Sequence, residues 1–202
     1  MSNYGREGRS YELIERADLE RLFTIARADI EDFFARRNDW AELYRDRLLG
    51  FALCQGAANH YIGRGDGVQD FDVYAFFAEH PHRRWYAKRH VTRDFGDAKF
   101  GQSLSCPNFL GRRADLLSRG LPAKIGTDLQ EAIRHWLKAG SSTSARLLAQ
   151  KAMVLLSPHD YLGKVAWPLL GNHGVAWTTS NSKGSSSKSL CVATAAQEAR
   201  AR

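Results

Sequence analysis

A chain of 202 residues, 44% hydrophobic and 25% charged, has an ordinary globular composition and is long enough to enclose one substantial core. No apolar run approaches a membrane span, and the opening MSNYGREGRSYE lacks the apolar centre of a secretion signal, so the expectation is a cytoplasmic protein with no membrane partner. Cys54, Cys106 and Cys191 are far apart and form no C-x-x-C pair, which argues against a zinc ribbon or a disulfide framework. Of the net charge of +7, residues 178–202 carry +3, leaving +4 on the body: phosphate partners are permitted, but a dedicated duplex binder would carry a stronger basic footprint.

Residues 1–16 read as a loosely held, flexible lead-in to a domain over 17–177. From Asp18 the apolar positions Leu19, Leu22, Phe23, Ala26, Ile30, Phe33 and Phe34 recur at helical spacing, with Arg27, Asp29, Glu31 and Asp32 falling mostly between them. The periodicity predicts an amphipathic helix packed on a sheet. A shorter helix is expected over Asp39–Arg47. The run LLGFALC, 48–54, then has the continuous apolar character of a buried strand.

A small-residue turn, Gly56-Ala57, follows, then a short helix and the glycine-rich loop Gly63-Arg64-Gly65-Asp66-Gly67. That loop is not a phosphate-binding P-loop, since no Gly-Lys-Ser/Thr follows, and its glycines are read as turn formers. The next strand opens with Asp70 and Asp72. Alternation along a strand puts these two carboxylates on one face and Phe71 and Val73 on the other. His80, His82 and His90 lack the ligand number and spacing of a zinc site.

The segment HRRWYAKRHVTRDFGDAKFG interleaves Arg83, Arg84, Lys88, Arg89, Arg93 and Lys99 with Trp85 and Tyr86. It is read either as a contact for a triphosphate or polyanion, with aromatics stacking on a base, or as a solvated edge with two aromatics turned inward. In the apolar stretch Arg112–Ser118 a single carboxylate, Asp115, is flanked by Ala114 and Leu116. On a strand beside Asp70 and Asp72 it would complete a three-carboxylate cluster of the hard oxygen ligands that suit a divalent metal at a phosphate chain.

Gly56-Ala57, the spacing to Asp70-Phe71-Asp72 and the later Ala114-Asp115-Leu116 resemble the signature of the polymerase-beta-like nucleotidyltransferase superfamily over residues 48–120. The stretch 139–168 is similar to a group of small, functionally uncharacterised bacterial proteins of that superfamily. The resemblance implies an α+β fold, a nucleotidyltransferase-like mixed β-sheet flanked by helices. It also implies Mg²⁺ or Mn²⁺ held by Asp70, Asp72 and Asp115 as the catalytic set, and transfer of a nucleoside monophosphate from a nucleoside triphosphate to a hydroxyl on RNA, a small molecule or a protein. Gly56, Ala57, Arg112 and Arg113 are the implied nucleotide-binding residues. Ala57 departs from the pattern, because members often carry Ser there, which removes a hydroxyl contact to phosphate. The alternative reading is an inactive domain of the same kind that binds nucleotide, nucleic acid or a protein partner.

Beyond the third strand, Thr127-x-x-Gln130 predicts a capping box for a helix with Leu129, Ala132, Ile133, Trp136 and Leu137 on its apolar face, stopping at Gly140. A second helix is expected over Ser142–Leu156, its stripe being Ala145, Leu148, Ala149, Ala152, Leu155 and Leu156. Together they predict a C-terminal helical hairpin over 127–157. From Thr178 the Ser/Lys/Gly run predicts a disordered tail, 178–202.

Overall fold

A computed structural model describes residues 8–85 and 89–168 of the chain. The expectations for residues 1–7, Tyr86 to Lys88, 169–177 and the tail 178–202 lie outside the described residues. The fold is mixed α and β, with a six-stranded mixed sheet and five α-helices among the described residues. The elements are α1 (Arg16–Arg36), α2 (Asn38–Tyr44), β1 (Leu48–Cys54), α3 (Gln55–Tyr61), β2 (Phe71–Ala78), β3 (His90–Asp94) and β4 (Arg113–Leu121). They continue with α4 (Leu129–Ala139), α5 (Thr143–Leu148), β5 (Ala152–Leu155) and β6 (Val165–Trp167).

Strand order is β3-β4-β2-β1-β5-β6. The β2–β4 pair is parallel and every other pair is antiparallel. A parallel neighbour needs a crossover, and the long segment between β2 and β4 supplies it, laying β3 on the outer edge as it returns. Alternation divides the sheet between two apolar layers. Phe71, Val73, Ala75 and Phe77 of β2, with Ala114 and Leu116 of β4, join Leu19, Leu22, Ala26, Ile30 and Phe34 of α1. Tyr74 and Phe76 join Leu129, Ala132, Ile133 and Trp136 of α4 on the opposite face.

The amphipathic helix runs as expected, two residues longer at its start, and Glu15 and Asp18 close a reciprocal capping box. One polar residue of that helix is on the wrong side of the predicted pattern. Asp29 is only 2% exposed and is paired with Arg89, which is 7% exposed, and with Arg93 at 2.9 Å. A buried carboxylate stands there because two guanidinium groups from the β3 edge come to meet it. In the second expected helix the last turn tightens to a 3-10 turn, Arg45–Arg47.

Three expectations are corrected. The helix predicted over Ser142–Leu156 ends at Leu148, and Ala152–Leu155 is instead a strand inserted between β1 and β6. Its four residues are fully buried, Val154 toward the α1 layer and Met153 and Leu155 toward the α4 layer. A short apolar run buried on both faces fits helix and strand spacing equally, and tertiary pairing with β1 decides the outcome. The lead-in, from residue 8, is docked rather than loose: Ser10 and Val68 exchange backbone hydrogen bonds of 2.8 and 2.6 Å, and Ile14 is buried. The cap of α4 also shifts by one residue, to Asp128, whose side chain accepts from the Glu131 amide at 3.0 Å.

Trp85 is buried in an aromatic cluster, stacked on Phe77 with ring centroids 3.9 Å apart and edge-on to Tyr44, Trp40, Phe33 and Phe34. It is a core residue holding the start of the crossover against α1 and α2, which settles its reading against base stacking. Trp85→Ala should destabilise the fold by about 3–5 kcal/mol in denaturant unfolding, the usual cost of emptying such a site.

Candidate active site

The site begins as a row across the sheet. Reading from β5 to β3, Met153 pairs with Cys54, Cys54 with Asp72, Asp72 with Asp115, and Asp115 with Thr92. Partners directly opposite one another share a face, so all five side chains lie on the α4 side of the sheet. Asp72 and Asp115, about forty residues apart in the chain, are therefore immediate neighbours on parallel strands. Asp70, just before β2, is tied to the same end by Arg113, whose Nη2 donates to Asp70 Oδ2 at 2.6 Å and lies 3.1 Å from Asp115 Oδ2. The fold thus brings Asp70, Asp72, Asp115 and Arg113 to one end of the sheet.

Like charges this close make ionisation expensive. Burial pushes the Asp72 carboxyl up to about 7, the Asp70 and Asp115 charges act in the same direction, and Arg113 opposes them. Cys54, fully buried beside Asp72, has its thiol pushed well up by burial and by that carboxylate, so it stands as a neutral packing group. Asp115 is 6% exposed and its Oδ1 accepts from Thr92 Oγ1 at 3.0 Å, with His90 Nε2 at 3.2 Å.

A cavity of about 180 Å³ opens beside this row, lined by Gln55, Gly56, Ala57, Asp70, Asp72, Arg9 and Lys151 among others. Gly56 and Ala57 are thus beside the carboxylates, and a Cβ at Gly56 would project into open space. Gln55, where β1 turns into α3, is the one non-glycine with positive φ among the described residues, at 61°. Strain of that kind persists where the surroundings over-determine the backbone, here the bridge from Gln55 to Ala152.

Arg112 does not belong to this site. It is 1% exposed, and its Nε donates to Phe100 O at 2.8 Å and its Nη1 to Gly8 O, away from the carboxylates. Alternation explains the split within the Arg112-Arg113 pair: Arg113 is in register with Asp94 and points to the acidic face, and its predecessor turns inward to the loop.

Arg9, Lys151 and Thr92 are the residues that sequence reasoning missed, and His90, considered there only as a zinc ligand, joins the site through Asp115. Arg9 comes from the docked lead-in and is anchored by Asp66 O at 3.0 Å. Asp66 in turn accepts from Asn59 Nδ2 at 2.8 Å, and Asn59 Oδ1 receives the Ala152 amide at 2.8 Å, which fixes the β5 start and with it Lys151. No local pattern marks these positions.

The basic segment after β2 is largely committed within the molecule. Arg83 pairs with Asp39 at 3.0 Å, Arg89 and Arg93 with Asp29, and Lys99 with Glu15 and Asp18 at 2.8 and 3.0 Å. Of the described cations there, only Arg84 stands mostly in solvent, 4.0 Å from Glu79.

Among the described residues no group of three or more His, Cys, Asp or Glu side chains is gathered as a metal site, and no helix is long and apolar enough to cross a membrane. The guanidinium of Arg113 stands between Asp70 and Asp115 where such a gathering would form. Carboxylate oxygens are the donors that a hard divalent ion takes, and two of these carboxylates hold Arg113. No family model, curated protein or solved structure matches the chain.

The raised Asp72 carboxyl sets a pH dependence. Its folded value, about 7, lies above the ordinary 3.8, so the folded state binds this proton more tightly. The stabilisation is complete below the ordinary value and lost as pH rises toward the folded one, at up to about 1.4 kcal/mol per pH unit. In metal-free buffer, stability should fall between these two values, and Asp72→Asn should flatten that slope and be the more stable protein at neutral pH.

Proposed function

We propose that this chain is a metal-dependent nucleotidyltransferase, moving a nucleoside monophosphate from a nucleoside triphosphate to a hydroxyl on RNA, a small molecule or a protein, on a nucleotidyltransferase-like sheet. The observation that carries the reading is the lateral pairing of Asp72 with Asp115 on parallel strands, with Asp70 at the same strand end beside the cavity. Asp70, Asp72 and Asp115 would hold Mg²⁺ or Mn²⁺, which supplies neutralisation of phosphate charge and a lowered pKa for the acceptor hydroxyl.

The protein's own groups divide the remaining work. Arg9 and Lys151 line the cavity and offset the charge of the triphosphate tail, and the open approach at Gly56 leaves backbone amides accessible without the hydroxyl that Ala57 lacks. Asp115 serves the acceptor side, with His90 at 3.2 Å as the group through which a proton reaches solvent. The acceptor oxygen forms its bond to the α-phosphorus as the bond to the bridging oxygen of the β-phosphate breaks, and pyrophosphate departs with that electron pair. The alternative of a polyanion-binding module built on residues 82–99 gains no support from the internally paired cations of that segment.

The test is incubation of the purified protein with each labelled nucleoside triphosphate and Mg²⁺, followed by a search for label on the protein, on RNA and on a metabolite pool. Asp70→Asn and Asp72→Asn should each reduce transfer at least about 100-fold and weaken Mg²⁺-dependent triphosphate binding. Asp115→Asn should abolish transfer and keep most of that affinity. Wild-type rates in any of the three would remove the assignment of that residue.

A further inference from the structure

The carboxylates assigned to the metal already share a cation. One nitrogen of Arg113 spans Asp70 Oδ2 at 2.6 Å and Asp115 Oδ2 at 3.1 Å, and the other oxygen of Asp115 faces Thr92 Oγ1 and His90 Nε2. Both oxygens of Asp115 are thus engaged by the protein's own donors. A divalent ion bridging Asp70 and Asp115 would stand where the guanidinium nitrogen stands, and because Asp115 is buried the repulsion between two cations there is poorly screened.

Arg113 is also incompletely satisfied where it stands. Its side chain is 30% exposed, yet its Nε is buried with no hydrogen-bond partner among the described residues. An unpaired buried N–H opposes the gain from the two ion pairs, so removing the guanidinium from the cluster costs less than those pairs alone suggest. The partial exposure gives the side chain a direction in which to leave.

We propose that Arg113 is a displaceable resident cation: it closes Asp70 and Asp115 in the free protein and is exchanged outward when a divalent metal enters. This rests on the assignment of Asp70, Asp72 and Asp115 as the metal set. Metal affinity is then set by competition with a side chain of the same strand. The freed guanidinium stays tethered within one side-chain length of the cluster, available to an anion arriving with the metal.

Mn²⁺ binding to the whole chain, followed by loss of the free-ion paramagnetic resonance signal, tests this alongside thermal unfolding in chelator. Arg113→Met should bind Mn²⁺ about tenfold more tightly than wild type and melt at a lower temperature without metal. Arg113→Lys, which restores a competing charge, should return affinity toward wild type. Should Arg113→Met fail to fold, Arg113→Gln carries the same expectation. An arginine that only braces the fold would lower the metal-free melting temperature and leave Mn²⁺ affinity unchanged. That result overturns the proposal, as would weaker binding in the neutral variants or no Mn²⁺ binding by any of the proteins at millimolar metal. Tighter Mn²⁺ binding in Arg113→Met by a protein that transfers no nucleotide would uphold the exchange and remove only the nucleotidyl reading.

Discussion

Two carboxylates on adjacent parallel strands repel each other, and much of the local architecture around Asp72 and Asp115 answers that repulsion. Arg113 is drawn between Asp70 and Asp115, Thr92 donates from the edge strand, and His90 stands at the remaining approach. Cys54 on the other flank stays neutral. Burial first, and then the charges of Asp70 and Asp115, hold the Asp72 carboxyl above the ordinary carboxylate range against the opposing pull of Arg113. A fold selected for stability alone would place apolar residues at both positions, as Val73 and Leu116 are one step along the same strands.

The sheet edge that carries this cluster is held from behind by a second electrostatic device. Asp29, on the buried face of α1, draws in Arg89, just before β3, and Arg93, within it, so the strand bearing His90 and Thr92 is fastened to the main helix as well as to β4. On the cavity side, the chain of bonds from Arg9 through Asp66 and Asn59 to the Ala152 amide links the lead-in, the glycine-rich loop and β5. Segments far apart in sequence thus arrive at one opening through buried and half-buried polar groups that are hydrogen-bonded rather than through apolar packing alone.

Much of the candidate site was legible because strand alternation acts locally. Asp70, Phe71, Asp72 and Val73 sort to two faces by their order alone, and Asp115 between Ala114 and Leu116 does the same. The same rule also separates Arg112 from Arg113, adjacent in the chain and opposite in direction. What stayed hidden depends on distant pairing. Arg9 and Lys151 carry no periodic signal, β3 and β6 are too short to announce themselves, and β5 was absorbed into a helical stripe that its burial on both faces mimics. Asp29 was hidden for the opposite reason: its charge argued for solvent, and only its two partners make burial tolerable.

The register of β2 against β4 bears on how this chain can change length. The crossover from 79 to 112 carries loops between two strands whose pairing is fixed by their own alternation, so residues gained or lost at an exposed turn there need not disturb the carboxylate row. A single residue gained inside β4 ahead of Asp115 is a different event. It would turn that carboxylate into the layer of Phe71, Ala75 and α1, and bring Ala114 or Leu116 to the acidic face, where neither offers an oxygen. A change of length is therefore compatible with the carboxylate row at the turns and not inside the strands, where the count between each carboxylate and the pairing that aligns it is fixed.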